Sequence, residues 1–443
     1  MNYEKIKSIA LAVLVLISIL LTWSIWNYQP DYETIDNDYI YEVSISETRT
    51  ADELIKPSKV LVHIEEEHHG TNNEKDADEV LKELKKWTFD EGENISTTLS
   101  EREFQRLVHG NNRLEMIFPT YVPFTSFKNI LTFNNNSVPN AVFDRIVVTQ
   151  VNAKENTALV YFVSTSERLV FKSEAQASTA AIFKKRFIDS ADRWKHYFSY
   201  KLKNGHTIFL PNEETSLLRY KYYPDYIATE KFKDALFSDP SYVKKGAKSD
   251  GEEYTDGSSL LRVNYNNHMI FYVNPAKESE IDRTGNYHQL LEKSMNFVNE
   301  HSGWTDQYRL FDSSPSNPTI NYRLFVSGRP VFNDQGMTLI QQVWGQDQIY
   351  KYVRPYFTLD ISLPSEKDEV KLVNGKTAID KVVSQDDINP NMIEDLTVGY
   401  DLARDPQTRK ILVLEPSWYY KYNGRWQRLE MNEGTGGTVR GLE

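Results

Sequence analysis

The N-terminal end of the chain carries a long segment without charge. From Ser8 to Pro30, 23 consecutive residues include no Asp, Glu, Lys, Arg or His. A helix of about 20 apolar residues, rising about 1.5 Å per residue, crosses a hydrocarbon layer of about 30 Å. Lys5 and Lys7 precede the segment, and residues suited to a membrane interface close it: Trp23, Trp26 and Tyr28. The segment therefore predicts a transmembrane helix.

The charges around this segment predict its orientation. Because positive residues stay on the cytoplasmic side, we predict that residues 1–7 are cytoplasmic, that residues 8–28 cross the cell membrane once, and that the bulk of the chain is extracellular. The alternative is a cleaved signal peptide, whose apolar core is usually about 7–15 residues long and ends in a small-residue cleavage site. The core here is longer, and the bulky Trp23 occupies the corresponding place. We therefore predict a retained anchor.

The composition narrows the classes of function. The net charge is −12, and the chain has no Cys. An acidic chain argues against a nucleic-acid partner, and the lack of Cys removes disulfides, thiol catalysis and thiolate metal sites. A chain of 443 residues, 40% hydrophobic and 13% aromatic, is long and apolar enough for several packed domains. We therefore predict two or three folded domains after the anchor.

The order of strand-like and helical segments predicts an α+β fold. We expect an N-terminal transmembrane helix followed by a three-domain extracellular part built on antiparallel sheets with packed helices. The predicted domains are residues 39–175, 176–284 and 285–430, and residues 431–443 are predicted to form a flexible tail. A helix over residues 285–302 is predicted to open the third domain.

Local signals predict where helices begin and where strands turn. Capping boxes at Thr71–Glu74 and Ser100–Glu103 predict two helix starts. The polar residues 241–259 are interpreted as a loop. Turns between strand-forming runs are predicted at three glycines: Gly205, Gly328 and Gly424. The similar segments around these glycines leave open a divergent duplication, beside the simpler explanation that hairpins share the same turn chemistry.

One short segment carries residues that could hold a metal. On a strand, His63, Glu65, Glu67 and His69 would share one face, because side chains alternate with period two. Nitrogen and oxygen ligands of this kind suit zinc. The HExxH spacing of helical zinc proteases is absent, however, and a solvated strand end explains the segment more simply. We therefore predict no metal site and no cofactor.

The sequence lacks the common catalytic and nucleotide-binding motifs. There is no G-x-S-x-G, no Walker A lysine motif and no G-x-G-x-x-G. Asp256-Gly-Ser-Ser259 has no assignable partner. We therefore predict that the protein is not an enzyme, and we assign no catalytic or cofactor-binding residue.

Small and hydroxylated residues recur along one face of the predicted anchor. At about 100° per residue, the face is formed within an arc of about 120° by Ser8, Ala12, Ser18 and Thr22. Such residues let a second helix approach closely and offer hydrogen bonds inside the membrane. Small residues also occur in any membrane span, so both explanations stay open. The first predicts that this face contacts a partner helix.

Several segments, in order along the whole chain, resemble the YycH (WalH) family. They are LLTWSIWNYQPDYE (20–33), EYTDGSSLLRV (253–263), YVNP (272–275), NEHSGW (299–304), YRLFVSGRPVF (322–332), VWGQDQIYKYVRP (343–355) and LEPSWYYKYNGRW (414–426). The resemblance implies a single-pass membrane protein of Gram-positive bacteria with three extracellular domains, the third YycI-like. It also implies association with a YycI-like membrane protein and with the sensor histidine kinase WalK (YycG), whose signalling controls cell-wall turnover.

The expected function is therefore non-enzymatic regulation of this kinase through transmembrane helix contacts. The alternative is an extracellular ligand-binding module for an envelope component, and a cell-wall enzyme is a further alternative. A ligand module would show a well-formed pocket with a few oriented polar groups. An enzyme would show polar groups that converge in a cleft.

Overall fold

Antiparallel strands dominate the computed structural model, which describes residues 7, 13–18, 20–23, 47–280, 287–301, 303–315, 318–346, 348–363 and 368–431. The chain divides into two compact units, Met1–Tyr41 and Glu42–Glu443. In the first unit, the described residues are helical. Residues 39–46, at the start of the predicted domain 39–175, lie outside the described residues, as do residues 432–443 of the predicted tail.

The first sheet has 11 strands in the described part of the chain. They are β1 (Lys59–Ile64), β2 (Glu67–Thr71), β3 (Thr88–Phe89), β4 (Glu93–Asn94), β5 (Arg113–Pro123), β6 (Thr132–Phe133), β7 (Val142–Asn152), β8 (Thr157–Ser164), β9 (Leu169–Gln176), β10 (Lys195–Lys201) and β11 (Thr207–Pro211). Their order is β11-β10-β2-β1-β5-β7-β8-β9-β3-β6, and β4 pairs with β9. All pairings are antiparallel except β3 with β6.

The second sheet has 14 strands among the described residues. They are β13 (Tyr220–Tyr226), β14 (Lys244–Lys248), β15 (Gly251–Thr255), β16 (Leu260–Asn264), β17 (Met269–Val273), β18 (Tyr308–Leu310), β19 (Thr319–Val326), β20 (Arg329–Phe332), β21 (Leu339–Trp344), β22 (Ile349–Pro355), β23 (Phe357–Ser362), β25 (Ile393–Arg404), β26 (Leu412–Tyr422) and β27 (Arg425–Arg428). The order is β14-β15-β16-β17-β22-β21-β19-β20-β25-β26-β13-β23, with β18 on β19 and β27 on β26. A separate two-stranded sheet joins β12 (Thr215–Leu218) to β24 (Glu369–Leu372).

Helices lie between these strands. They are α1 (Ala51–Leu54), α2 (Glu74–Leu84), α3 (Glu101–His109), α4 (Phe124–Phe127), α5 (Ala180–Phe183), α6 (Thr229–Leu236), α7 (Tyr287–His301) and α8 (Gly375–Val383). Short 3-10 turns occupy Ser96–Thr98, Asn134–Asn136, Ala191–Arg193, Pro240–Tyr242, Pro275–Glu280 and Pro390–Met392, and a π turn occupies Lys184–Ile188. The α+β class predicted from the sequence is confirmed.

Local sequence explains several of these boundaries. The capping box at Ser100–Glu103 is present, and α3 begins directly after its N-cap residue Ser100. The three predicted hairpin turns are present, with φ of +93° at Gly205, +73° at Gly328 and +74° at Gly424. Glycine adopts this left-handed region without the steric cost that a Cβ imposes.

Two local predictions are wrong. Helix α2 is capped by Asn73, whose side chain accepts from the Lys75 backbone N–H, and Thr71 belongs to β2 instead. The segment 241–259 is not a loop but contains the hairpin of β14 and β15. Its polar composition is that of an edge strand, because β14 lies at the end of the second sheet and is exposed along its whole length.

One hydrophobic core runs through both large sheets. Its buried residues extend from Leu54 in α1 to Leu414 in β26. Polar contacts between distant segments accompany it: the Tyr287 hydroxyl donates to the Tyr121 carbonyl at 3.2 Å, and Ser126 Oγ lies 3.1 Å from His288 Nδ1.

The two sheets divide the chain between β11 and β12. Strands β10 and β11 fall in the predicted domain 176–284 but pair with the first sheet through β2, whereas β17 pairs with β22 across the predicted boundary at 284. The predicted boundaries at 175 and 284 therefore do not coincide with the division between the sheets. The partition into three domains stays a prediction.

Candidate functional site

The predicted membrane face is described only in part. Ser8 and Ala12 lie outside the described residues, whereas Ser18 and Thr22 are helical and exposed. The Thr22 hydroxyl donates to the Ser18 carbonyl at 2.8 Å, so its hydrogen bond is satisfied within its own helix. In the portion of the chain that is described, no helix combines the length and the apolar character needed to cross a membrane. Contact of this face with a partner helix stays a prediction.

A cavity of about 470 Å³ opens between the two sheets. Strands β1, β5 and β11 contribute walls from the first sheet, and β20, β25 and β26 contribute walls from the second. The lining includes six aromatic side chains: Phe118, Tyr121, Phe209, Phe311, Phe325 and Trp426. Pockets for small molecules have volumes of about 300–1,000 Å³. The cavity is thus large enough for a small ligand.

Some of the charges that line the cavity neutralise each other. The Lys421 ammonium lies 2.7 Å from a carboxylate oxygen of Asp312 and 3.5 Å from one of Glu394. Burial lowers the pKa of Lys421, but these two carboxylates outweigh it and the pKa is raised. Asp312, Glu394 and Lys421 therefore form a compensated cluster in the lining of the cavity.

The cavity wall also holds two cations that form no ion pair with a carboxylate of the described residues. Neither Lys59 nor Arg329 makes an ion pair with any described residue; the Lys59 ammonium instead donates to the Phe209 carbonyl at 2.7 Å. Burial lowers the pKa of Lys59 to about 8, with Arg145 and Arg329 acting in the same direction and Asp395 opposing them. An anion bound here would offset the desolvation of these two cations.

Behind this wall, a fully buried carboxylate is surrounded by histidines and an arginine. One oxygen of Glu115 lies 2.9 Å from His63 Nε2 and 2.9 Å from His109 Nδ1, and the other lies 3.0 Å from Arg145. Burial would raise the pKa of Glu115, but His109 and Arg145 hold it well below its ordinary value. Burial lowers the pKa of His63. The arrangement is a compensated ion cluster within the wall of the cavity.

The segment considered as a metal site does not form one strand. Glu65, with φ of +54°, and Glu66 form the turn between β1 and β2, so His63 faces His68 across the hairpin, with their Nδ1 atoms 2.8 Å apart. The expectation that His63 and His69 share one strand face is therefore wrong, because the chain reverses between them. Glu67 and His69 do share a face of β2, where His196 of β10 joins them.

Sequence reasoning missed the partners of these histidines. Glu115 and Arg145 belong to β5 and β7, and His196 lies more than a hundred residues after β2. Each occurs singly in the sequence, without a motif. The sequence signal for a buried charge is the position of Glu115 in β5, between the apolar residues Leu114 and Met116.

Comparisons with known proteins cover nearly the whole chain. The family profile described as YycH protein, N-terminal domain, matches residues 4–188, and that described as YycH protein, C-terminal domain, matches residues 205–434. A relative from Bacillus subtilis (strain 168), named two-component system WalR/WalK regulatory protein YycH, is 25% identical in an alignment of 442 positions that covers 96% of each chain. The crystal structure of YycH from Bacillus subtilis has the same fold, with a TM-score of 0.73 and 21% identity over 87% of this chain and 98% of that one.

Proposed function

Because the chain belongs to the YycH family, we propose that it is a non-enzymatic regulator of a WalR/WalK two-component system. The observation that carries this proposal is the match of both family profiles in order along the chain. The Bacillus subtilis relative, which is named a regulatory protein of that system, supports it over nearly the full length.

The proposed place of action is the membrane. The 23 uncharged residues after Lys7 anchor the chain with residues 1–7 in the cytoplasm and the rest outside. Protease added to intact, wall-stripped cells should then digest the chain after residue 35 and spare its N-terminus. Recovery of a shortened chain from the medium, beginning after Trp23, would contradict the retained anchor.

The proposed mechanism is a bias on the kinase through helix packing. An accessory protein shifts a two-state partner only if it binds the two states with different affinity. A difference of about 1.4 kcal/mol changes the ratio of the states about tenfold. The face of Ser8, Ala12, Ser18 and Thr22 would provide that difference by contacting a transmembrane helix of the WalK kinase or of a YycI-like partner.

The test replaces Ala12 and Ser18 together by Leu. The change keeps the segment apolar enough to insert but blocks close approach, with a loss of about 1–2 kcal/mol of packing and hydrogen bonding. Co-purification with the kinase should weaken, and the output of kinase-controlled genes should shift about as far as on deletion of the protein. Ile17→Leu, on the opposite face of the helix, is the matched control and should leave both unchanged.

The opposite result would contradict this mechanism. If the Ala12 and Ser18 replacements are as silent as Ile17→Leu, while removal of residues 47–431 abolishes regulation, coupling passes through the extracellular part. Regulation would then depend on a surface or cavity of the two-sheet unit.

A second candidate function is ligand binding in the cavity between the sheets. The specific observation is that Lys59 and Arg329 share its wall without a carboxylate partner in the described chain. Binding of glycerol phosphate and of a short acidic peptide should be measured by calorimetry for the full chain and for Arg329→Gln. The exposed Arg425 of β27 supplies the matched control, Arg425→Gln. Equal binding by all three proteins would exclude this site.

A further inference from the structure

Two groups of two histidines and one glutamate lie near each other in the first sheet, and they differ in kind. In the buried group, His63 and His109 each lie 2.9 Å from Glu115, and Arg145 lies at 3.0 Å. Distances of about 2.9 Å are those of hydrogen bonds. Because this carboxylate already has two histidines and an arginine around it, the buried group has no need of a metal ion.

The second group is built by the pairing of β2 with β10. These strands are antiparallel, and His69 stands directly opposite His196, with ring centroids 4.4 Å apart. Glu67 precedes His69 by two residues and therefore lies on the same face of β2. The ligand atoms of all three residues lie within 4.8 Å of one another. Two adjacent strands thus bring two imidazoles and a carboxylate to one point.

The central histidine of this second group lacks hydrogen bonds. His69 is only 5% exposed, and its Nδ1 atom is buried without a partner. Its Nε2 atom lies 3.5 Å from Glu67 Oε2, which is longer than the hydrogen bonds of about 2.7–3.2 Å found in proteins. Neither ring nitrogen of His69 thus has a hydrogen bond of ordinary length, and Nε2, the atom that faces Glu67, is available to bind an ion directly.

The separation of His69 from Glu67 fits a zinc ion. Two ligand atoms that each lie about 2.0–2.1 Å from a tetrahedral zinc ion are about 3.4 Å apart. The 3.5 Å between His69 and Glu67 agrees with this separation. Glu67 makes no ion pair with a Lys or Arg of the described chain, so no competing cation occupies the carboxylate. Glu67 and His196 are exposed, which gives an ion access from solvent.

We propose that Glu67, His69 and His196 bind one divalent ion of the zinc class, with water completing the coordination. The ion would join β10 to β2, which otherwise pair at only three positions. This matters beyond the sheet edge, because the β10–β11 hairpin also packs on the second sheet: Asn204 donates to the Ile393 carbonyl at 2.9 Å, and Ile208 and Leu210 share a core cluster with Trp418. The ion would therefore fix a hairpin that contacts the second sheet.

The test is zinc binding to the tag-free, full-length chain in detergent micelles. Calorimetric titration with ZnCl₂ should show one saturable site, and Co²⁺ should give the absorption bands of a tetrahedral centre. Replacement of one ligand should weaken zinc binding at least about tenfold. Removal of a group that only supports a ligand already lowers metal affinity by about 10–100-fold. His196→Gln and Glu67→Gln are the ligand variants, and both alter exposed side chains.

His206→Gln is the matched control, since His206 is exposed and belongs to neither histidine group. Zinc should also raise the thermal midpoint of the unaltered chain and of His206→Gln, but not that of His196→Gln, since an ion that binds only the folded state stabilises it. The proposal is overturned if no saturable zinc site exists. It is equally overturned if His196→Gln and Glu67→Gln bind as tightly as the control, or if His206→Gln loses binding to the same extent.

Discussion

Arg309 of β18 lies 2.6 Å from Glu74, the first residue of α2, and only 4% of the Arg309 side chain is exposed. Because α2 packs on β1, this ion pair joins a strand of the second sheet to a helix of the first. The Lys56 ammonium lies 3.0 Å from the same carboxylate. Burial would raise the pKa of Glu74, but Arg309 and Lys56 lower it. The contact between the sheets therefore depends on a charge that must stay ionised.

Glu74→Gln should lower the free energy of unfolding by about 2–3 kcal/mol, because it leaves a buried guanidinium without its counter-charge. Urea unfolding followed by tryptophan fluorescence measures the change. The control is Lys376→Gln in the exposed pair of Lys376 with Asp380, which should have little measurable effect. Equal effects of the two changes would show that the Arg309 contact contributes no more than a surface pair.

Gly328 and Gly424 form a matched pair of turn glycines. Their φ angles are +73° and +74°, but a Cβ at Gly328 would lie 2.7 Å from the Asn72 carbonyl oxygen, whereas one at Gly424 would meet nothing within 4 Å. Gly424→Ala should cost about 1–2 kcal/mol of unfolding free energy through backbone strain alone. Gly328→Ala should cost clearly more in the same urea experiment, because the β19–β20 turn must also move away from the first sheet. Equal losses would mean that this turn shifts freely.

Glu115→Gln should be among the most destabilising single changes in the first sheet. It leaves Arg145 without its nearest carboxylate inside the wall of the cavity, and breaking a buried pair costs about 3–5 kcal/mol. The unfolding free energy at neutral pH is the measurement. Glu91→Gln changes an exposed glutamate and should leave stability unaltered. A stable Glu115→Gln variant would indicate that water reaches the cluster and solvates Arg145.

His268 should make folding sensitive to mild acid. Burial lowers the pKa of His268 to about 4, with Arg404 acting in the same direction. An unfolded histidine has a pKa of about 6.5, so the unfolded state takes up the proton first as the pH falls. Neutral His268 thus contributes its full stability above about pH 6.5, and this contribution is lost as the pH falls from about 6.5 to about 4.

The variant His268→Asn removes this titration while tolerating the positive φ of 54° at the position. When the pH is lowered from 7 to 5, the free energy of unfolding should fall by about 1–2 kcal/mol less in this variant than in the unaltered chain. The measured quantity is this difference between the two pH values, because loss of hydrogen bonds to Tyr226 and Tyr356 lowers the stability of the variant at both. If the difference is unchanged, groups other than His268 cause the acid sensitivity. The control is His206→Asn, which alters an exposed histidine.

Short-range chemistry determined the features that the sequence predicted correctly. The turns at Gly205, Gly328 and Gly424 follow from residues that accept a positive φ, and the start of α3 follows from the reciprocal hydrogen bonds of Ser100 and Glu103. The α+β class follows from the alternation of apolar residues. Family membership could be identified because ordered motifs persist along the whole chain, and the family profiles confirm it.

The tertiary structure alone decided how distant segments combine. Strand β10 pairs with β2 although β3–β9 lie between them in sequence, and this pairing brings His196 to His69. The sheets in turn place Glu115 beside His63 and Arg145, and Arg309 beside Glu74. No local pattern specifies such neighbours, because strand pairing uses backbone hydrogen bonds that are the same for every residue, and the partner is selected by the burial of whole sheet faces.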